Sequence, residues 1–214
     1  MTDVKKFAIL LFAACAAFGA GILRADVKLP ELFSDGAVFQ RQKPVKIWGM
    51  AEPGADVKVE FAGNGKSAKA GEDGKWSLFL DAMEASAEPR EMRISENGRP
   101  AKTVKNILVG EVWILGGQSN MEMPLRGFNN CPIAGANEII ARAGSMRDRL
   151  RYVKIPLTAA YTPQDRVPGK WRPCTVETAP DFTATGYFFA ELLADVLHVP
   201  VGIVDCTWGG TRVE

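Results

Sequence analysis

Gly110-Glu-Val-Trp-Ile-Leu-Gly-Gly-Gln-Ser-Asn-Met-Glu-Met-Pro-Leu125 is the stretch on which the reading of this chain turns. Its apolar run, Val112 to Leu115, predicts a buried strand that ends on two glycines and delivers Ser119 into a polar turn. A strand holds such a turn rigidly, and glycines allow close backbone approach or positive φ. A serine placed there can offer its hydroxyl to an acyl carbonyl and its own N–H to a developing oxyanion. The spelling Gly117-Gln-Ser-Asn-Met121 departs from the Gly-x-Ser-x-Gly nucleophile elbow, because Met121 stands where the second glycine would be.

Working outward from that stretch, the pattern after Asn106 is that of a parallel α/β sheet. A long apolar strand region covers Ile107 to Leu115, a short helix Ala136 to Ala143, and a strand Leu150 to Ile155. A helix is predicted from Tyr187 to His198, with Phe189, Leu192, Leu193, Val196 and Leu197 at helical spacing on one apolar face. Val201-Gly-Ile-Val-Asp205 reads as a further strand, running directly into Thr207-Trp-Gly-Gly-Thr211. In open α/β sheets, sites form at the carboxyl ends of strands. Ser119 and Gly209-Gly-Thr211 both follow apolar strands, so they are expected to converge on one edge of the sheet.

Residues 26 to about 105 read differently. Val45-Lys-Ile-Trp-Gly49 and Val57-Lys-Val-Glu-Phe61 alternate apolar and polar, the period of half-buried strands. Trp76–Leu80 and Met92–Ser95 add further short strands. Turn clusters separate them, at Glu52-Pro-Gly54, Gly63-Asn-Gly65, Gly71-Glu-Asp-Gly74 and Glu96-Asn-Gly98. Such spacing predicts a small antiparallel sandwich.

The serine block resembles the first sequence block of SGNH-type esterases of the sialate O-acetylesterase family, which includes related carbohydrate acetylesterases. Leu29-Pro-Glu-Leu-Phe-Ser-Asp35 with Val38-Phe-Gln-Arg41 resembles the opening of the same family. Pro200-Val-Gly-Ile-Val204 with Trp208-Gly-Gly-Thr211 resembles its second block. The resemblance implies an α/β protein with an N-terminal all-β domain: a β-sandwich (26–105), then an SGNH-type parallel hydrolase domain (106–214) present only in its N-terminal part. It implies metal-free, cofactor-free hydrolysis of acetyl esters on sialic acid or another glycan. Ser119 would be the nucleophile and Gly209 or Gly210 the oxyanion donor. The third block with its Asn-type donor, and the C-terminal Asp-x-x-His, have no counterpart here. The chain is therefore expected to be a fragment, inactive alone.

Other residues near these blocks read as supporting or structural. Asp195-Val-Leu-His198 carries the Asp-x-x-His spelling and the chain's single histidine, yet it precedes the glycine block and points away from the apolar stripe. His198 suits a helix C-terminus, where positive charge faces the carbonyl dipoles. Glu111, Glu122 and Asp205 are assigned no role. Gln118 and Asn120 could support the serine turn, Trp113 and Trp208 could stack on a sugar, and Arg126 could meet a carboxylate substrate. The other function class is non-catalytic: a glycan-binding or scaffold protein with a vestigial esterase region. A lipase or thioesterase is disfavoured by the lack of an apolar lid or acyl groove.

Composition bounds the partners. The 214 residues are 47% hydrophobic, with 26 basic against 25 acidic side chains, so a sizeable core is available and nothing suggests nucleic acid. Lys5 and Lys6 before the apolar run Phe7–Phe18, with small residues to Ala25, predict a signal peptide over 1–25. The chain is thus expected to be exported, periplasmic or extracellular, without stable membrane insertion once the leader is removed. Lipoprotein processing at Cys15 is the weaker alternative. Cys131, Cys174 and Cys206 would remain, with Cys131 and Cys174 the favoured pair.

Overall fold

The computed structural model describes residues 27–211 apart from 165 and 167, so the expected leader, its cleavage point and Cys15 lie outside the described residues. The first half is built by alternation. After β1 (Val38–Gln40) come β2 (Val45–Met50), β3 (Asp56–Phe61), β4 (Asn64–Lys69), β5 (Lys75–Leu80) and β6 (Ser86–Glu96). Strands β3 and β5 expose and bury successive residues without a break. The β3–β4 hairpin turns on Ala62 and Gly63, both at positive φ, the backbone that two-residue hairpins favour. Strands β2 and β5 pair antiparallel as a separate ribbon. Ile47, Leu78 and Leu80 from this ribbon share one core with Val57, Val59, Phe61, Met92 and Ile94.

Strand β7 (Arg99–Leu115) joins the two halves. It runs antiparallel to β6 up to Val109 and parallel to β1 over Leu108–Gly110. It then runs parallel to β10 (Val201–Asp205) over Glu111–Leu115. The domain boundary expected near 105 falls inside this one strand, beside Asn106, whose φ of 58° kinks it. The guanidinium of Arg151 donates to Asn106 Oδ1 at 3.2 Å. β8 (Leu150–Lys154) pairs parallel with β10, and β9 (Arg172–Pro173) closes that edge. All of these except β2 and β5 belong to one eight-stranded mixed sheet. The architecture is the expected combination, an antiparallel β-rich half followed by parallel strands with helices.

Three helices accompany the parallel half: α1 (Ser119–Glu122), α2 (Ala136–Arg142) and α3 (Ala184–Leu197). Thr183 caps α3, its hydroxyl accepting from Gly186 N at 3.2 Å, a contact worth about 1 kcal/mol. The helix ends at His198 in the left-handed conformation. Its buried face is not the expected one. Ala184, Gly186, Tyr187, Ala190 and Ala194 face the sheet, whereas Leu192 and Val196 are each 65% exposed and Phe189 and Leu197 are exposed as well. The reason is close approach: a Cβ on Gly186 would lie 2.4 Å from Leu115 Cδ1. Leu115, Leu150 and Ile203 fill much of the space between helix and sheet, so Gly186, Ala190 and Ala194 face inward, with Tyr187 the one large residue beside them.

Two further expectations are corrected. Val112–Leu115 is not wholly buried, since Trp113 is 44% and Ile114 72% exposed while Leu115 is buried. Trp113 packs edge-on against Phe189 at 5.0 Å. Trp113 and Phe189 are thus half-exposed side by side, while Ile114 points to the other face of the sheet. Nor do Cys131 and Cys174 pair: Cys131, Cys174 and Cys206 are all free thiols. Cys174 is buried in the second core, and burial pushes its thiol up to about 12. Cys131 sits in an exposed turn closed by the Phe128–Cys131 bridge.

Candidate active site

The register of the parallel strands sets the site. Because β7 and β10 end together at Leu115 and Asp205, their following loops leave the sheet side by side. Backbone bonds carry that pairing beyond the strands: Cys206 N donates to Leu115 O at 2.9 Å, and Trp208 N to Gly117 O at 2.9 Å. Gly117 holds a φ of 141°, and a Cβ there would lie 2.7 Å from Met121 Cγ, so the turn requires glycine. Gln118 then caps α1, its carbonyl accepting from Met121 N and Glu122 N. Ser119 opens this single helical turn and is exposed.

Gly209 is brought against the serine. A Cβ on Gly209 would lie 3.7 Å from Ser119 Cα, 3.8 Å from Ser119 Cβ and 2.7 Å from Glu122 Oε2. The Gly209 N–H donates to that Glu122 oxygen at 2.6 Å, a short charge-assisted bond. Gly210 has a φ of 77° and open space where its Cβ would be. Of the two candidate donors, then, one touches the serine but is already engaged by a carboxylate. The other is free of steric neighbours.

A polar network supports the turn from below. Asp205 is 1% exposed and accepts from the Tyr152 hydroxyl, from Thr207 N at 2.8 Å and from Thr207 Oγ1 at 2.6 Å. Lys154 Nζ lies 3.1 Å from Asp205 Oδ2 and 3.7 Å from Glu122 Oε1. It also donates to Thr207 O at 3.0 Å. Burial, and then the Asp205 carboxylate, push the Tyr152 hydroxyl well above its ordinary range, so it stays a neutral donor. A buried carboxylate needs this degree of compensation.

Glu122, Lys154 and Asp205 thus tie three segments together beneath Ser119. The sequence assigns Glu122 and Asp205 no role and marks nothing at Tyr152, Lys154 and Thr207. One signal was available: an acid flush against the apolar run Val201–Val204, at a position where burial forces partners.

Other sequence candidates lie away from the serine. Glu111 faces Val201 at the start of the parallel segment and accepts from Arg41 Nε at 2.7 Å. Arg126, exposed, is paired with Asp181. Trp113 lies on the sheet face against α3, while Trp208 is half-buried beside Gly209. Asp195 pairs with Arg149 at 2.9 Å. His198 is exposed and precedes β10, whose five residues separate it from the serine end by roughly 17 Å of strand. Among the described residues, no group of three or more His, Cys, Asp and Glu is arranged to hold a metal ion.

What the arrangement offers chemically is a serine hydroxyl on a rigid strand end, flanked by a glycine turn and backed by a carboxylate–ammonium network. Against known proteins, no family model matches the chain. The sialate O-acetylesterase of Rattus norvegicus is 26% identical over 223 residues, covering 96% of this chain and 40% of its own length. That of Homo sapiens is 29% identical over 184 residues, covering 78% and 34% respectively. The crystal structure of a carbohydrate acetylesterase from Xanthomonas citri superposes with a TM-score of 0.80 at 39% identity, covering 88% of this chain and 42% of that one. The chain therefore spans about two fifths or less of the length of these curated relatives.

Proposed function

This chain belongs to the sialate O-acetylesterase family, and from that membership we propose that it carries the nucleophile side of a serine acetylesterase. Its substrate is an O-acetylated sialic acid or another acetylated glycan. The observation that carries the reading is the abutment of Ser119 and Gly209 at the paired ends of β7 and β10. Ser119 Oγ attacks the acetyl carbonyl, and the carbonyl electron pair moves onto oxygen. The N–H of Ser119 and that of Gly209 or Gly210 hold the oxyanion. Collapse expels the sugar hydroxyl, and water then releases acetate from the acyl-enzyme.

Two details of the site constrain this scheme. A carboxylate and an oxyanion repel, so Gly209 serves as donor only when Glu122 swings off its N–H, towards Lys154. A serine hydroxyl is also a weak nucleophile without a base to take its proton. His198, the one histidine, stands at the wrong end of β10. This reading therefore gives His198 no part as the base. Residues 1–25 act as an export leader that takes the protein to the periplasm or the cell exterior.

Acetate release from an acetylated sugar tests the reading. The 214-residue chain should show no turnover above background, and a chain extended to the length of its relatives should show it. Turnover by the short chain that is lost in His198→Ala would overturn the assignment of the base.

A further inference from the structure

Glu122 stands where the proposed reaction needs room. It lies three residues from Ser119 in α1, so both side chains leave the same face of that turn. Its carboxylate accepts from the Gly209 N–H at 2.6 Å, and a Cβ on Gly209 would touch both Glu122 Oε2, at 2.7 Å, and Ser119 Cβ, at 3.8 Å. A planar group with negative charge spread over two oxygens thus occupies an N–H that an acyl oxyanion would use. Acetate is a group of the same shape and charge.

Of the three charged residues in the network, Glu122 is the one with freedom to move. Asp205 is 1% exposed and fixed by the Tyr152 hydroxyl, Thr207 N and Thr207 Oγ1. Lys154 Nζ directs its three protons to Thr207 O and Thr207 Oγ1, each at 3.0 Å, and to Asp205 Oδ2 at 3.1 Å. The Glu122 side chain is 23% exposed and lies 3.7 Å from that ammonium, beyond hydrogen-bond distance. Among the described residues its carboxylate has one hydrogen bond, the one from Gly209. Because Lys154 is shared between two carboxylates, the trio carries a net negative charge beside Ser119.

That charge distinguishes an ester from its acid. A neutral ester carbonyl approaches the Gly209 N–H without Coulomb repulsion and moves the carboxylate towards Lys154. The oxyanion formed next is tied covalently to Ser119, so it holds the displaced carboxylate off. Free acetate has only its hydrogen bonds for that work. Two like charges about 4 Å apart repel enough to weaken binding about fivefold, even at the dielectric of water.

We propose that Glu122 is a selectivity residue: its carboxylate keeps acetate from the Gly209 N–H, so the site admits a neutral ester and rejects the acid product. That acetate is the product rests on the acetylesterase reading; the place of the carboxylate at Gly209 does not.

Glu122→Gln tests this, since it keeps the side-chain length and an acceptor for Gly209 while removing the charge. The 214-residue chain is titrated with acetate, and with neutral acetamide as control, at constant ionic strength, following the amide resonances of Ser119 and Gly209. Acetate should bind Glu122→Gln about fivefold tighter or more than wild type, shifting both amides, and acetamide should gain less than about twofold. In the extended chain, inhibition by added acetate should strengthen by the same factor, with KM for the sugar ester little changed. Equal or weaker acetate binding in Glu122→Gln, no acetate binding at these amides in either protein, or a parallel gain for acetamide would overturn the proposal. A Glu122→Gln protein that fails to fold would make the carboxylate a structural prop and overturn it too. An extended wild-type chain that releases no acetate would overturn the proposed function alone, because the titration decides the role of Glu122 at Gly209 without turnover.

Discussion

Strand β5 and helix α3 handle their apolar residues in opposite ways. In β5, Trp76, Leu78 and Leu80 are buried and every residue between them is exposed. In α3 the large residues Leu192 and Val196 face outward, and Ala190 and Ala194 face the sheet. The strand buries every second residue by its two-residue period, and Phe79 stays 57% exposed because it falls on the outer face. The helix is set by distance instead, because Leu115 and Ile203 leave room for small side chains at Gly186, Ala190 and Ala194, with Tyr187 the one large residue on that face. Pattern therefore identifies an element, while the volume left by its neighbours decides which face it buries.

That contrast can be broken experimentally, and the largest effect is expected in the strand. Leu80 is fully buried, so Leu80→Ala should cost about 2–5 kcal/mol in denaturant unfolding. A loss below about 1 kcal/mol would show that the antiparallel core is looser than its burial indicates.

In the parallel half the most sensitive point is the glycine turn. Gly209→Ala drives a methyl towards Glu122 and Ser119 and should slow acetate release about 10²–10³-fold in the extended chain. Gly210→Ala strains a left-handed residue but meets no atoms, so its cost should fall on stability, at roughly 1 kcal/mol. The reverse order of rates would assign the donor to Gly210, and near-normal rates in both would make the turn structural only.

Smaller effects separate the two faces of α3. Ala194→Leu overpacks the contact with the sheet and should destabilise by about 1–3 kcal/mol. Leu192→Ala on the outer face should change stability by less than about 0.5 kcal/mol. Equal losses at the two positions would contradict the inverted face.

Much of the fold was legible because it is local. The alternation at Val57–Phe61 and Trp76–Leu80, and the apolar run at Val201–Asp205, mark their strands without reference to anything distant. Less could be read where partners lie far apart in sequence. β4 carries no large apolar residue and exists by pairing with β3. β1 is a short segment placed by a parallel partner 70 residues on. The inverted face of α3 depends on side chains from β7, β8 and β10 together.

At the site, the blocks around Ser119 and Gly209 were visible because each follows its own strand directly. The support beneath them was not. Tyr152, Lys154 and Thr207 become partners of Asp205 only once β8 and β10 lie in register.

The central claim is that Ser119 is the nucleophile, and Ser119→Ala in the extended chain tests it most directly. Acetate release from an acetylated sugar should fall by about 10³-fold or more, with unfolding and the near-ultraviolet spectrum unchanged. Turnover preserved in a folded Ser119→Ala protein would contradict the account.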